Sequence, residues 1–504
     1  MVKNKYMEIE NFFRNKTIKI IFVIFSVLTV FNIIYAAFAQ RGLLYDGSIY
    51  FLNMLNRFAN AEWAYSISNI RARGNIIILC QIPVNVAYHI FGVSSKYWLS
   101  VIFSLPLFAF PAIVTYLNYP LSKRSKRYDI AIMAFAILIF FSIPISFYSV
   151  VEVLLAAPIF FLLFHYAVSK IDYNVFDICT IIFLLIISYI SSEIVVYSSI
   201  FLLFSALYHS RKEIKLKNKI IKYFIALNAL LMPFSYFYFY SKFPIDFLFK
   251  ERILFEIGEI IEFLTMKTTL SDYTFLLILI LIIIYFNKSY FSTKTKYIIT
   301  GIFSFVFLIL FREYPISYQF FPRRIIFFLV FPIFMFIPIL IDVFSNKICS
   351  KKLNVILYNT FFVILIVGII NTMYQIENSY LFHKTISEYK HFINSEKVMF
   401  ISPTDNNQKF YDNKFHNLCF NCDTYTIDSI IFNPNYKIKS IVMNNNKSED
   451  CPKVFYFKEN TLNLPFCTTI DVKNKYWDIS LLKQKVEADK ELANRVQYNE
   501  NMRN

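Results

Sequence analysis

Eleven apolar runs of about 15 to 23 residues, none with a charge at its centre, punctuate the chain: residues 17–39, 98–118, 130–147, 153–168, 176–190, 194–209, 220–240, 273–287, 296–311, 325–341 and 353–374. About 20 residues at 1.5 Å each cross the hydrocarbon core of a bilayer, so each run predicts a membrane helix, with tilt or merging for the shorter ones. A further apolar stretch, 76–93, is interrupted by Gln81, Pro83, Asn85 and His89. It reads as an interfacial or re-entrant helix. Residues 242–272 place Ile253, Ile257, Ile260, Ile261 and Leu264 at helical spacing among acids, which predicts an amphipathic surface helix. From Gln375 onward the chain turns polar, with short alternating runs at 440–443 and 453–457 that read as strands and a charged surface helix at 479–504. The pattern predicts an all-α polytopic membrane protein over 1–374, with 40–97 as its first outer loop, and a small C-terminal α+β domain over 375–504.

Charge supplies the orientation. Lys3, Lys5, Arg14, Lys16 and Lys19 precede the first span and place the N-terminus in the cytoplasm. Alternation then brings to the same side Lys123, Arg124, Lys126 and Arg127, the run Arg211, Lys212, Lys215, Lys217 and Lys219, then Lys288 and Lys294, and Lys347, Lys351 and Lys352. The short turns at 148–151 and 191–192 carry no Lys or Arg. The 375–504 region then lies in the periplasm of a bacterial inner membrane, and abundant Ile, Lys, Asn, Phe and Tyr fit an AT-rich genome. The apolar core of the first span is too long for a cleaved signal peptide, so this run reads as a retained span.

Composition narrows the function. With 57% hydrophobic and 17% charged residues, the chain departs from soluble proteins, which average about 25% charged. Neither GxGxxG nor GxxxxGK[ST] occurs, which excludes a Rossmann dehydrogenase and a P-loop pump. The net charge of +17 is mostly a topology signal, so no nucleic-acid partner is expected. Cys419, Cys422, Cys451 and Cys467 fall in the tail. A zinc site lacks its second CxxC, and an oxidising compartment favours two disulfides whose pairing stays open.

Ionisable groups at the ends of spans are functional candidates because they cost free energy in lipid. Asp46 in RGLLYDGSIY, Glu152 and Glu193 all fall on the outer side; for the two glutamates a solvated loop position is an equal reading. Asp46 is flanked by Gly42 and Gly47, and four of the seven glycines lie between Gly42 and Gly92, which suggests a backbone shaped for close approach. Arg57, Arg71, Arg73, Arg312, Arg323 and Arg324 run against the positive-inside pattern. Their forked guanidinium groups suit a phosphate, with interfacial anchoring as the alternative.

This order of features resembles the GT-C superfamily of polytopic glycosyltransferases: a cytoplasmic N-terminus, a long first outer loop with an acid soon after the first span, interfacial helices, eight or more further spans and an outer soluble tail. In that family the loop acid is the general base or positions the acceptor, and Asp46 stands at the matching position. Many members carry paired acids there, whereas Asp46 is solitary, with Glu62 sixteen residues on. The resemblance implies an inverting transfer from a polyprenyl-phosphate sugar to a glycan, lipid or protein acceptor. Arg323 and Arg324, then Arg71 and Arg73, would hold the donor phosphate, and Glu193 or Glu152 would orient the acceptor. It implies no cofactor firmly and leaves a divalent metal open. A flippase for lipid-linked oligosaccharide, or an O-antigen polymerase or ligase, are the competing functions. The chain shows no internal repeat of the transporter kind, and its acids lie near span ends rather than mid-membrane.

Overall fold

The computed structural model describes residues 16–43, 46–58, 63, 76–143, 152–189, 191, 194–241, 335, 339, 350–395, 399–401, 431–433, 440–442, 456–458, 461–464, 468–471 and 484. The described helices are α1 (Lys16–Phe38), α2 (Asp46–Phe58), α3 (Ile82–His89), α4 (Lys96–Ser125), α5 (Tyr128–Ile137), α6 (Glu152–Val168), α7 (Val175–Tyr189), α8 (Ile194–Arg211), α9 (Leu216–Ser241) and α10 (Ser350–Ser395). Three described stretches are long and apolar enough to cross a bilayer: Lys16–Phe38, Lys96–Ser125 and Phe361–His391. The protein is an α-helical membrane protein. Along α1, Val23, Val27, Val30 and Ile34 are exposed on one face, with Val27 at 61%. Such a stripe suits lipid rather than water.

Two expectations are met in part. Of the eleven expected spans, three described helical stretches reach spanning length, and α5, α7 and the apolar part of α6 are apolar helices of 10–17 described residues. The runs at 273–287 and 296–311, nearly all of 325–341, and the amphipathic segment 242–272 lie outside the described residues. Over 375–504 the described residues show helix followed by short strands. α10 continues 46 residues to Ser395, straight through the composition change at Gln375. Gln, Glu and Lys propagate a helix as readily as Leu does, so polarity alone does not end one. Beyond it, five strands of three or four residues are described. β1 (Met399–Ile401) pairs in parallel with β2 (Ser440–Val442), and β3 (Tyr456–Lys458), β4 (Thr461–Leu464) and β5 (Thr468–Asp471) form an antiparallel meander.

The chain divides into two compact units. The first comprises Met1–Ile33, Ile67–Ile76 and Leu107–Gln375; the second comprises Ile34–Ser66, Ile77–Pro106 and Ile376–Asn504.

In the first unit α6 is the hub: residues 155–168 are all buried, as expected of a helix apolar on every side. It packs against α5, α7, α8 and α9. Its one imidazole, His165, accepts from Ser125 at 2.9 Å and meets Asn118 Oδ1 at 3.0 Å. Asn118 Nδ2 donates to Val114 O, so its carbonyl faces the ring and His165 carries its proton on Nδ1. Asn174 and Asp177 cap α7 reciprocally, each side chain accepting from the other's backbone N–H at 2.8–2.9 Å. The same Asp177 carboxylate receives both Arg124 Nη groups at 2.8 Å and Tyr166 OH at 3.3 Å. On the other flank, α1 and α10 approach closely at Gly368, where an added Cβ would lie 2.8 Å from Phe25 Cε2.

In the second unit, α2 is buried along almost its whole circumference and lies beside β5. Phe58 of α2 stacks on Tyr88 of α3 with centroids 4.2 Å apart, and Trp63 stacks on His89 at 5.5 Å.

Candidate functional site: a cation cluster in the second unit

The cluster starts where α1 ends. Gln40 adopts φ +59°, a left-handed conformation that favours glycine and strains a residue with a Cβ by about 1–2 kcal/mol. It turns the chain into the 3₁₀ turn Arg41–Leu43. The Gln40 side chain is buried and engaged at both ends: Nε2 donates to Ser100 Oγ, and Oε1 accepts from Lys390 Nζ at 2.6 Å. A strained backbone whose side chain bridges two other elements is a common mark of a functional site.

Two lysines meet beside it, and Arg41 turns towards an earlier stretch of α10. Lys390, half-buried on α10, also sits over the rings of Phe432 at 4.9 Å and Tyr97 at 5.7 Å. Lys96, half-buried at the start of α4, donates to Asn433 O. Arg41, buried, donates to Asn378 O at 3.3 Å and lies 5.0 Å from the Phe382 ring centre. Among the described residues no carboxylate lies within ion-pair distance of Lys390. An ammonium group satisfied by an amide oxygen and two π faces retains its positive field, which makes the place suited to an anion.

Gly42 shapes the wall. A Cβ there would come 2.8 Å from both Cα and Cβ of Ser104, so the close approach foreshadowed by the glycine is to helix α4. Gly42→Ala is expected to cost about 1–3 kcal/mol by overpacking, measured as a lower thermal midpoint in detergent.

Of the residues singled out from the sequence, Asp46 opens α2 and Glu152 opens α6. They fall in different units, Asp46 in the second with the cation cluster and Glu152 in the first. Glu193, Arg71, Arg73, Arg323, Arg324, Cys419, Cys422, Cys451 and Cys467 lie outside the described residues. Among the described residues no group of three or more His, Cys, Asp or Glu is placed to hold a metal ion. Gln40, Lys96 and Lys390 were not legible as a site. Gln40 and Lys96 look like ordinary ends of apolar runs, and Lys390 stands 350 residues from its partner. Comparison with protein-family models, with curated proteins and with solved structures finds no match to this chain.

Proposed function

We propose that this chain is an inverting membrane glycosyltransferase that moves a sugar from a polyprenyl-phosphate donor to an envelope glycan, lipid or protein acceptor. The observation that carries the proposal is the cation cluster of Arg41, Lys96 and Lys390, from which the chain reaches Asp46 in five residues. In this reading eleven spans place the N-terminus in the cytoplasm of a bacterial inner membrane and a 375–504 α+β domain in the periplasm. The cluster neutralises the donor phosphate. The acceptor hydroxyl attacks the anomeric carbon, its proton passes to Asp46, and the bond from carbon to the phosphate oxygen breaks. The lipid phosphate departs with that electron pair, so no covalent enzyme intermediate is needed.

Lys390 tests the anion site when folding is measured alongside. Lys390→Met relieves a half-buried ammonium without a counter-charge but leaves buried Gln40 Oε1 without its donor, so its thermal midpoint is read beside its binding. The same substitution removes a charge-assisted hydrogen bond to phosphate, which weakens donor binding about 10- to 100-fold. Lys390→Arg keeps the charge and most of the affinity. Titration of a polyprenyl phosphate against purified protein reads the effect, and unchanged binding by Lys390→Met would remove the cluster from donor recognition.

A further inference from the structure

We infer that the end of the first unit built from residues 169–176 and 211–222 is a binding surface for anionic phospholipid headgroups. This inference stands on the membrane location alone and is independent of sugar transfer.

The two segments are fastened together by named contacts. Lys215 Nζ bonds Asp172 Oδ2 at 2.5 Å, Asn218 Nδ2 donates to Asp172 Oδ1 at 3.3 Å, and Lys217 Nζ donates to Tyr173 O at 2.8 Å. Residues 211–222 contain six cations, Arg211, Lys212, Lys215, Lys217, Lys219 and Lys222, against the single acid Glu213. Both nearby carboxylates are already engaged, Asp172 by Lys215 and Glu213 by Lys222 at 2.9 Å. Asp177 is held by Arg124. Lys170, Arg211, Lys212, Lys217 and Lys219 therefore have no carboxylate within ion-pair distance among the described residues.

Apolar side chains stand among these cations. Ile214 is 97% exposed, Val175 77% and Leu216 72%, with Phe176 and Ile220 also outward. The turn joins the C-terminus of α8 to the N-terminus of α9, and the apolar runs of both helices begin within a few residues of it. Arg124, in the last turn of the span-length helix α4, donates to Asp172 O at 2.9 Å. The surface therefore lies where that span meets the headgroups, at a depth where apolar side chains enter the acyl boundary and lysine stems bring their ammonium groups up to phosphates. A soluble acidic protein could satisfy the charge, but five outward aliphatic and aromatic groups at the lipid boundary favour a leaflet. Each such cation strengthens attachment to an anionic surface roughly fivefold at low salt.

The test uses the full-length protein. Wild-type protein is extracted from mixed vesicles of phosphatidylcholine and phosphatidylglycerol, and the lipids it retains are counted by native mass spectrometry. Phosphatidylglycerol is expected to be retained preferentially, and the preference is expected to fall with added salt. The variant carrying Arg211→Gln, Lys212→Gln, Lys217→Gln and Lys219→Gln should lose at least about tenfold in preference. It leaves Lys215 and Lys222 to hold their ion pairs and Asn218 its bond to Asp172, so two of the three fastening contacts remain when Lys217 gives up its bond to Tyr173 O. Ile214→Ser with Leu216→Ser should reduce retention of both lipids while leaving the charge-based preference. Equal retention of the two lipids by wild type, or an unchanged preference in the four-glutamine variant, would overturn the inference and leave the surface to an acidic protein.

Discussion

An Asp46→Asn variant is expected to insert and fold normally yet to transfer sugar about 10²–10⁴-fold more slowly, the usual contribution of a positioned general base. Asn is nearly isosteric with Asp and equally acceptable at a helix start, so α2, which begins at Asp46, should form unchanged. What disappears is the proton-accepting oxygen. The assay is transfer from a polyprenyl-phosphate sugar to acceptor glycan in reconstituted membranes, with donor binding measured alongside. A base acts on the rate and leaves donor affinity intact, whereas a phosphate contact does the reverse. Full turnover by Asp46→Asn would remove this residue from the chemistry, and normal turnover with weakened donor binding would reassign it to recognition.

The largest loss of stability should follow Asp177→Ala. Its side chain is 2% exposed, and it accepts from Arg124, Tyr166 and the Asn174 N–H at once. Removing one partner of a buried ion pair costs about 3–5 kcal/mol. Arg124 is 38% exposed and partly solvated once released, so about 2–3 kcal/mol is expected from the pair, with about 1 kcal/mol more from the lost helix cap. Asp177→Asn keeps hydrogen-bond capacity and should recover part of this. Thermal unfolding in detergent measures both, and a midpoint indistinguishable from wild type for Asp177→Ala would show that α7 is held by apolar packing alone.

The sequence was informative where physics is local. Long apolar runs marked helices α1, α4, α6, α7, α8 and α9, because hydropathy is summed residue by residue. Strand pairing at Ser440–Val442 and Tyr456–Lys458 lies where alternation pointed. Gly42 signalled a close contact, although chain chemistry could not reveal that its neighbour is Ser104. Helix α10 continues past Tyr374, where the apolar run ends, since a change from apolar to polar residues alters what a helix faces rather than whether it continues. The cation cluster was hidden for a different reason. It assembles Gln40, Lys96 and Lys390 from the ends of three helices, and nothing in a one-dimensional pattern ties a lysine to a glutamine 350 positions away. The same holds for Arg124, a loop cation in the one-dimensional pattern, whose pairing with Asp177 only packing supplies.

The length of α10 has a mechanical consequence. Forty-six residues make a rod about 69 Å long, whereas a bilayer with its headgroups is about 40–45 Å thick. Even leaning by 40°, the rod would still reach about 53 Å along the normal. Part of it must rise into water like a mast, and its upper portion buries Phe382, Ile386, Tyr389 and Ile393 at alternating steps of four and three residues. That seam gives the mast a rigid footing for Lys390, one helical turn beyond Ile386, so the ammonium group is carried on a packed rod rather than on a loop.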